Sequence, residues 1–319
     1  MTSPWPEQVV LCDVSPRDGL QNECKALSTT QKIALVQGLI NAGLPRIEVT
    51  SFVSPKAIPQ MADAHELMQG ITRKPGVDLV VLIPNLRGAD RALACAPDEL
   101  NLVLSVTNVH SKANLRMTPE QSFKTLREVI IATREKVKLN VSLSCSFGCP
   151  FEGHVESEQV LHWVRQFNAL GVTGISLCDT TGMAYPSQVR ELVNKVQSLA
   201  PTLRITLHFH NSRGLGMANV FEGLRAGVTH FDACTGGIGG CPYAPGASGN
   251  VCMEDIVHAL HCEGIETGID LERLLQVSRD LGELLEHPLS GQVVYAGPRS
   301  RTYAFEEEVR QASQPCKQC

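Results

Sequence analysis

The feature that most constrains how this chain can fold is an alternation of short apolar runs with longer amphipathic stretches, repeated eight times. The apolar runs occupy residues 9–14, 46–50, 78–83, 100–106, 139–144, 174–178, 204–210 and 230–234. Several, such as Val80-Val81-Leu82-Ile83, are continuously apolar, as parallel strands covered on both faces must be. The stretches between them read as helices with defined ends. Ser28 and Gln31 form a capping box, Ile33, Val36, Leu39 and Ile40 keep helical spacing, and Gly43 offers a left-handed stop before Pro45. A second helix opens at Ser157, carries Val160, Val164, Phe167 and Leu170 on one stripe, and stops at Gly171. Eight strands, each followed by a helix, predict an α/β fold of the closed (β/α)8 TIM-barrel type rather than an open doubly wound sheet.

A length of 319 residues suits one such barrel, with 43% hydrophobic and 19% charged residues supplying its core. The pattern fades after about Leu284. We therefore expect a catalytic barrel over residues 1–284 and a short C-terminal extension over 285–319, packed on the barrel and ending in a flexible tail. A net charge of −5 argues against nucleic acid or an anionic membrane as partner, so a polyanionic ligand must meet a local basic cluster. No apolar run reaches membrane-span length, and residues 1–8 lack an export-signal pattern. Twelve cysteines are diluted through a long chain, with Cys12, Cys95, Cys178 and Cys234 in apolar surroundings. That usage points to free thiols and a cytoplasmic setting. Cys145 and Cys149 read as structural. Cys316 and Cys319, with no second Cys or His pair near them, read as a disordered, reactive terminus.

In such a barrel the chemistry lies at the carboxyl ends of the strands. The first strand ends in Ser15-Pro16-Arg17-Asp18-Gly19, the second carries Glu48 and ends in Ser51, and the sixth ends in Asp179-Thr180. The seventh holds His208-Phe209-His210, whose two imidazoles share one face because strand side chains alternate with period two. Asp18 comes from the adjoining side of a closed barrel. Two histidines and a carboxylate make a divalent-metal site with positions left for substrate. Each alone would read as a hydrogen-bonded core group or a turn cap; together they point to a metal.

The loop 236–250 has six glycines in fifteen positions, which suits a lid more than a phosphate cradle, since it lacks the Lys-Ser/Thr pair of a P-loop. Cys241 stands inside that loop, as an acid or base if a cation lies near and as an inert thiol if none does. Asn250 at its end offers an amide oxygen as a hard ligand. Arg17 beside Asp18 suits a carbonyl oxygen on which charge develops, and also a structural ion pair with Glu48. Lys25 and Lys56 follow the first two strands and are placed to meet phosphates at the rim, or merely solvent.

Taken together, Ser15-Pro-Arg17-Asp18-Gly-Leu-Gln21-Asn-Glu, Ile47-Glu48-Val-Thr-Ser51-Phe-Val-Ser-Pro-Lys56, Ser176-Leu-Cys-Asp179-Thr, His208-Phe-His210 and Gly239-Gly-Cys241-Pro-Tyr-Ala-Pro-Gly-Ala-Ser-Gly-Asn250 resemble the 3-hydroxy-3-methylglutaryl-CoA lyase family. The resemblance runs from about Val9 to Ile269. It implies Mg2+ or Mn2+ held by Asp18, His208, His210 and Asn250, with Arg17 steadying a thioester enolate and Cys241 sharing in proton transfer. Glu48 and Asp179 would support the site, Asp179 as a possible proton-transfer partner, while Gln21, Ser51, Lys25 and Lys56 would contact substrate. The implied partner is an acyl-CoA, the implied reaction a retro-Claisen cleavage, and the implied assembly a homodimer. Two segments depart from the family pattern: Ser105-Val-Thr-Asn108-Val-His110 after the fourth strand, and Asn211-Ser212-Arg213 after the histidines. These leave the non-CoA end of the substrate open to a citramalyl or 3-hydroxyglutaryl thioester. A condensing transferase of the isopropylmalate synthase type would share barrel and metal but should carry a large regulatory extension. A degenerate, merely binding barrel should have lost one of Arg17, Asp18, His208, His210 or Cys241, and all are present.

Overall fold

The computed structural model describes residues 5–240 and 249–303. Its eight strands are β1 (Val10–Asp13), β2 (Arg46–Ser51), β3 (Asp78–Leu82), β4 (Glu99–Ser105), β5 (Lys138–Ser144), β6 (Gly174–Asp179), β7 (Arg204–Phe209) and β8 (His230–Ala233). All pair in parallel and in sequence order, and β8 closes onto β1. The expected (β/α)8 barrel is the fold. Helices wrap it, each burying one apolar stripe against the strands; Leu35, Val36, Leu39 and Ile40 of the helix Thr29–Asn41 are of this kind. That helix begins with the Ser28–Gln31 capping box. Gly43 follows at φ 92°, and a Cβ there would lie 2.5 Å from the Gly268 carbonyl oxygen, so only glycine fits.

Strand ends differ from the sequence expectation by a residue or so, for local reasons. The first strand stops at Asp13 because the Val14 carbonyl accepts from the Arg17, Asp18 and Gly19 amides, which winds Ser15–Gly19 into one π-helical turn. The helix Ser157–Ala169 begins where expected, and its cap is Glu156, whose amide donates to the Gln159 side chain.

The amino end of the barrel is plugged by ions. Glu99, fully buried on β4, takes Arg46 from β2 at 2.7 Å and Arg204 from β7 at 2.8 Å. A buried carboxylate is tolerable only with such partners. After the last long helix, Leu271–Leu285, the chain turns back onto the barrel's carboxyl end. Ser290 donates to the Gly237 carbonyl at 3.1 Å, and Leu289 packs under Gly236, whose φ is 72°. Asp255 accepts the Gln292 and Val293 amides. Cys316 and Cys319 lie outside the described residues.

Candidate active site

The carboxyl ends of the strands surround a cavity of about 1050 Å³, the size of a site for a large ligand. Asp18, His208 and His210 line it, and one potential ligand atom from each lies within 4.8 Å of the others. The strands explain the convergence. His208 lies on β7 and His210 directly follows its end, two residues on and toward the same cavity, and the tight turn after β1 brings Asp18 to them across β8. Asn250 joins through a bridge to His210 and donates from Nδ2 to Asp18 Oδ2 at 2.8 Å. Its Oδ1 and His210 Nδ1 are buried without hydrogen-bond partners among the described residues. Buried polar atoms rarely stay unpaired, and an oxygen and nitrogen beside a carboxylate fit a hard or borderline divalent cation.

Arg17 is held on two sides. Its Nε donates to Glu48 Oε2 at 2.6 Å and its Nη1 to Asp18 Oδ1 at 2.7 Å. Glu48, 2% exposed, also accepts from Asn101 at 2.8 Å. Burial would raise the Asp18 carboxyl, but Arg17, His208 and His210 outweigh it and bring it down to about 2. Burial and the nearby His208 lower His210 to about 4. Burial also lowers His208, yet a hydrogen bond from the ring to Asp232 and the charge of Asp18 leave it above its ordinary value. The site therefore offers a carboxylate, one imidazole held neutral and a fixed guanidinium.

The remaining sequence-derived candidates divide. Gln21 and Lys56 line the cavity. Lys25 does not: it is 41% exposed and pairs with Glu286 at 2.6 Å, outside the mouth. Ser51 is buried with its hydroxyl unpartnered among the described residues; a register slip after Glu48 sets it beside the cavity-lining Leu82. Asp179 also falls outside the lining. Cys178 and Thr180 face the cavity, so alternation turns Asp179 away, where Oδ1 accepts the Met183 amide at 2.7 Å. Burial raises its carboxyl to about 6. Cys241 lies outside the described residues. The departing segments divide: Arg213 clamps the Thr181 and Gly182 carbonyls and Asn108 is absent from the cavity lining, whereas His110 lines it.

Two groups went unread in the sequence, and a third, His110, was named only as part of a departing segment. Asp13, fully buried, accepts the Ser15 amide and the Thr235 hydroxyl and so ties the β1 turn to the loop after β8. His110 lines the cavity with Nδ1 2.8 Å from Ser105 Oγ. Asp232 lines it from β8.

The HMGL-like family model matches residues 8–281. A hydroxymethylglutaryl-CoA lyase of Bacillus subtilis is 39% identical over 90% of this chain and 96% of its own length. An (R)-citramalyl-CoA lyase of Chloroflexus aurantiacus is also 39% identical, over 92% of this chain and 96% of that protein. Among solved structures, an HMG-CoA lyase of Acinetobacter baumannii in complex with coenzyme A and 3-methylmalate superposes with a TM-score of 0.90. It is 46% identical, across 93% of this chain and 98% of that one.

Proposed function

The chain belongs to the HMGL-like family, and from that premise we propose that it cleaves 3-hydroxy-3-methylglutaryl-CoA to acetyl-CoA and acetoacetate. The observation that carries the reading is the meeting of Asp18, His208, His210 and Arg17 in one cavity large enough for an acyl-CoA. Asp18, His208, His210 and Asn250 would hold Mg2+ or Mn2+. Bound there, such a cation supplies Lewis-acid polarisation of the substrate's hydroxyl and carbonyl oxygens.

The residues of the chain do the rest. A base takes the proton of the tertiary hydroxyl, the new carbonyl forms at C3, and the C2–C3 electron pair passes into the thioester. Arg17, fixed by Glu48 and Asp18, presents its guanidinium to the enolate oxygen that develops. Protonation at C2 then yields acetyl-CoA, with Cys241 the proposed proton carrier. Gln21 and Lys56 face the acyl-CoA from the wall, Lys56 as a cation for its phosphates. Ser51 is kept as a neighbour of the substrate pocket, and Asp179 as a support of β6 behind it.

We place the barrel boundary near residue 284, the assembly as a homodimer and the setting as the cytoplasm. Free thiols at Cys12, Cys95, Cys178 and Cys234 support a reducing compartment. No helix among the described residues is long and apolar enough to cross a membrane.

The test is turnover of 3-hydroxy-3-methylglutaryl-CoA and citramalyl-CoA side by side, with Mg2+ and after chelation. Metal-dependent release of acetyl-CoA and acetoacetate is expected. Cleavage of the citramalyl thioester alone would move the substrate assignment, and cleavage of neither would overturn the lyase reading.

A further inference from the structure

Asp232 has no part in the scheme above, yet it stands in the cavity wall. It sits on β8 in register with His208 of β7 and Cys12 of β1, and its Oδ2 lies 3.4 Å from His208 Nδ1. Its side chain is only 13% exposed. An imidazole that gives one nitrogen's lone pair to a cation carries its proton on the other, and the partner of that N–H fixes ring tautomer and orientation. His210 differs, because its buried Nδ1, unpartnered among the described residues, is the nitrogen left for the cation. The two rings would thus turn different nitrogens to the cation, His208 Nε2 and His210 Nδ1.

We infer that Asp232 is a positioning residue: it accepts a hydrogen bond from His208 Nδ1–H, which fixes that ring's tautomer and holds Nε2 toward the cation. The inference rests on reading Asp18, His208 and His210 as a metal centre, and not on which thioester is cleaved.

The experiment is a Mn2+ titration of the full chain without substrate, with free ion followed by electron paramagnetic resonance. Asp232→Ala should weaken Mn2+ binding by about 10–100-fold. Asp232→Asn, which keeps an accepting oxygen, should fall between that variant and the unaltered chain. Nitrogen NMR of the histidine rings adds a readout that a merely structural role would leave alone. The unaltered chain should show His208 as the Nδ1–H tautomer, and Asp232→Ala should mix its tautomers while sparing His210. Unchanged Mn2+ affinity in Asp232→Ala would overturn the inference. If that variant does not fold, a weakening of Mn2+ binding in Asp232→Asn supports it and unaltered affinity there overturns it. Failure of the unaltered chain to bind Mn2+ would remove the metal centre and this inference together. Asp232-dependent Mn2+ binding in a chain that cleaves neither thioester would support the inference and overturn only the lyase reading.

Discussion

The strand ends on the two sides of the barrel mouth share one geometry and carry different chemistry. From β7 through β8 and β1 to β2 the cavity presents His208, His210, Asp232, Arg17 and Asp18, with Glu48 directly behind. The strands β4 to β6 themselves present Asn101, Ser142, Ser144 and Thr180, all neutral, while His110 and Arg116 line the cavity from the segment after β4. Asn101 joins the halves: Nδ2 donates to Glu48, and Oδ1 accepts from Ser142 and Asn140. A retro-Claisen cleavage puts negative charge on two oxygens. Fixed cations concentrated on one wall favour that charge only if nothing on the facing strands competes for it. A neutral wall can orient an acyl group through hydroxyls and amides without pulling electrons toward the wrong atom. The split teaches that charge placement, more than the number of polar groups, suits this mouth to its chemistry.

The comparison can be broken most severely from the charged side. Replacing His208 or Asp18 by Ala should lower kcat/KM about 10³-fold or more and abolish tight Mn2+ binding, because several kcal/mol of charge stabilisation are lost. Residual activity above a few per cent in steady-state assays would show that the charged wall works without its cation. Arg17→Gln should cost about 10²–10³ in kcat while Mn2+ still binds, as removal of one oxyanion partner does elsewhere. An effect confined to KM would instead make Arg17 a substrate clamp.

Asp179 probes the border between the walls, since it belongs to β6 and faces away from the cavity. Its folded-state value of about 6 lies above the ordinary 3.8, so the folded chain keeps this proton when the unfolded chain has already lost it. Ionisation therefore opposes folding. The contribution is favourable at low pH, declines between about pH 4 and pH 6, and leaves a cost of up to ~3 kcal/mol above that window. Asp179→Asn, which keeps an oxygen for the Met183 amide, should be more stable than the unaltered chain at pH 8, and the gain should shrink toward pH 4. Denaturant unfolding at both pH values checks this; equal gains at both would deny the linkage.

The smallest effect belongs to the neutral wall. Ser144→Ala should change kcat/KM by less than about tenfold, the worth of one neutral hydrogen bond. A loss as large as that of Arg17→Gln would erase the distinction between the halves.

Much of this was legible from residue spacing. The strand count, the closed barrel and the His208–His210 pair follow from period-two and period-3.6 patterning, which burial enforces. The same alternation, applied to β6, would have turned Asp179 away once Cys178 was taken as facing inward. Asp232 was harder to see. Its place beside His208 depends on the register between β7 and β8, which no local pattern encodes. Lys25 shows the limit for surface charge, where a long side chain takes whatever partner the folded loops bring near; here that partner is Glu286, from the far end of the chain.

The Glu99 cluster at the amino end has a consequence for traffic. With Arg46 and Arg204 bonded across it, the barrel is closed at its amino end, and among the described residues the carboxyl end is the doorway. A thioester that enters acyl end first has its carrier portion lying in that doorway. After cleavage, the small keto acid sits behind the CoA fragment, so departure is a queue: the fragment that entered last must clear the passage before the deeper one can follow.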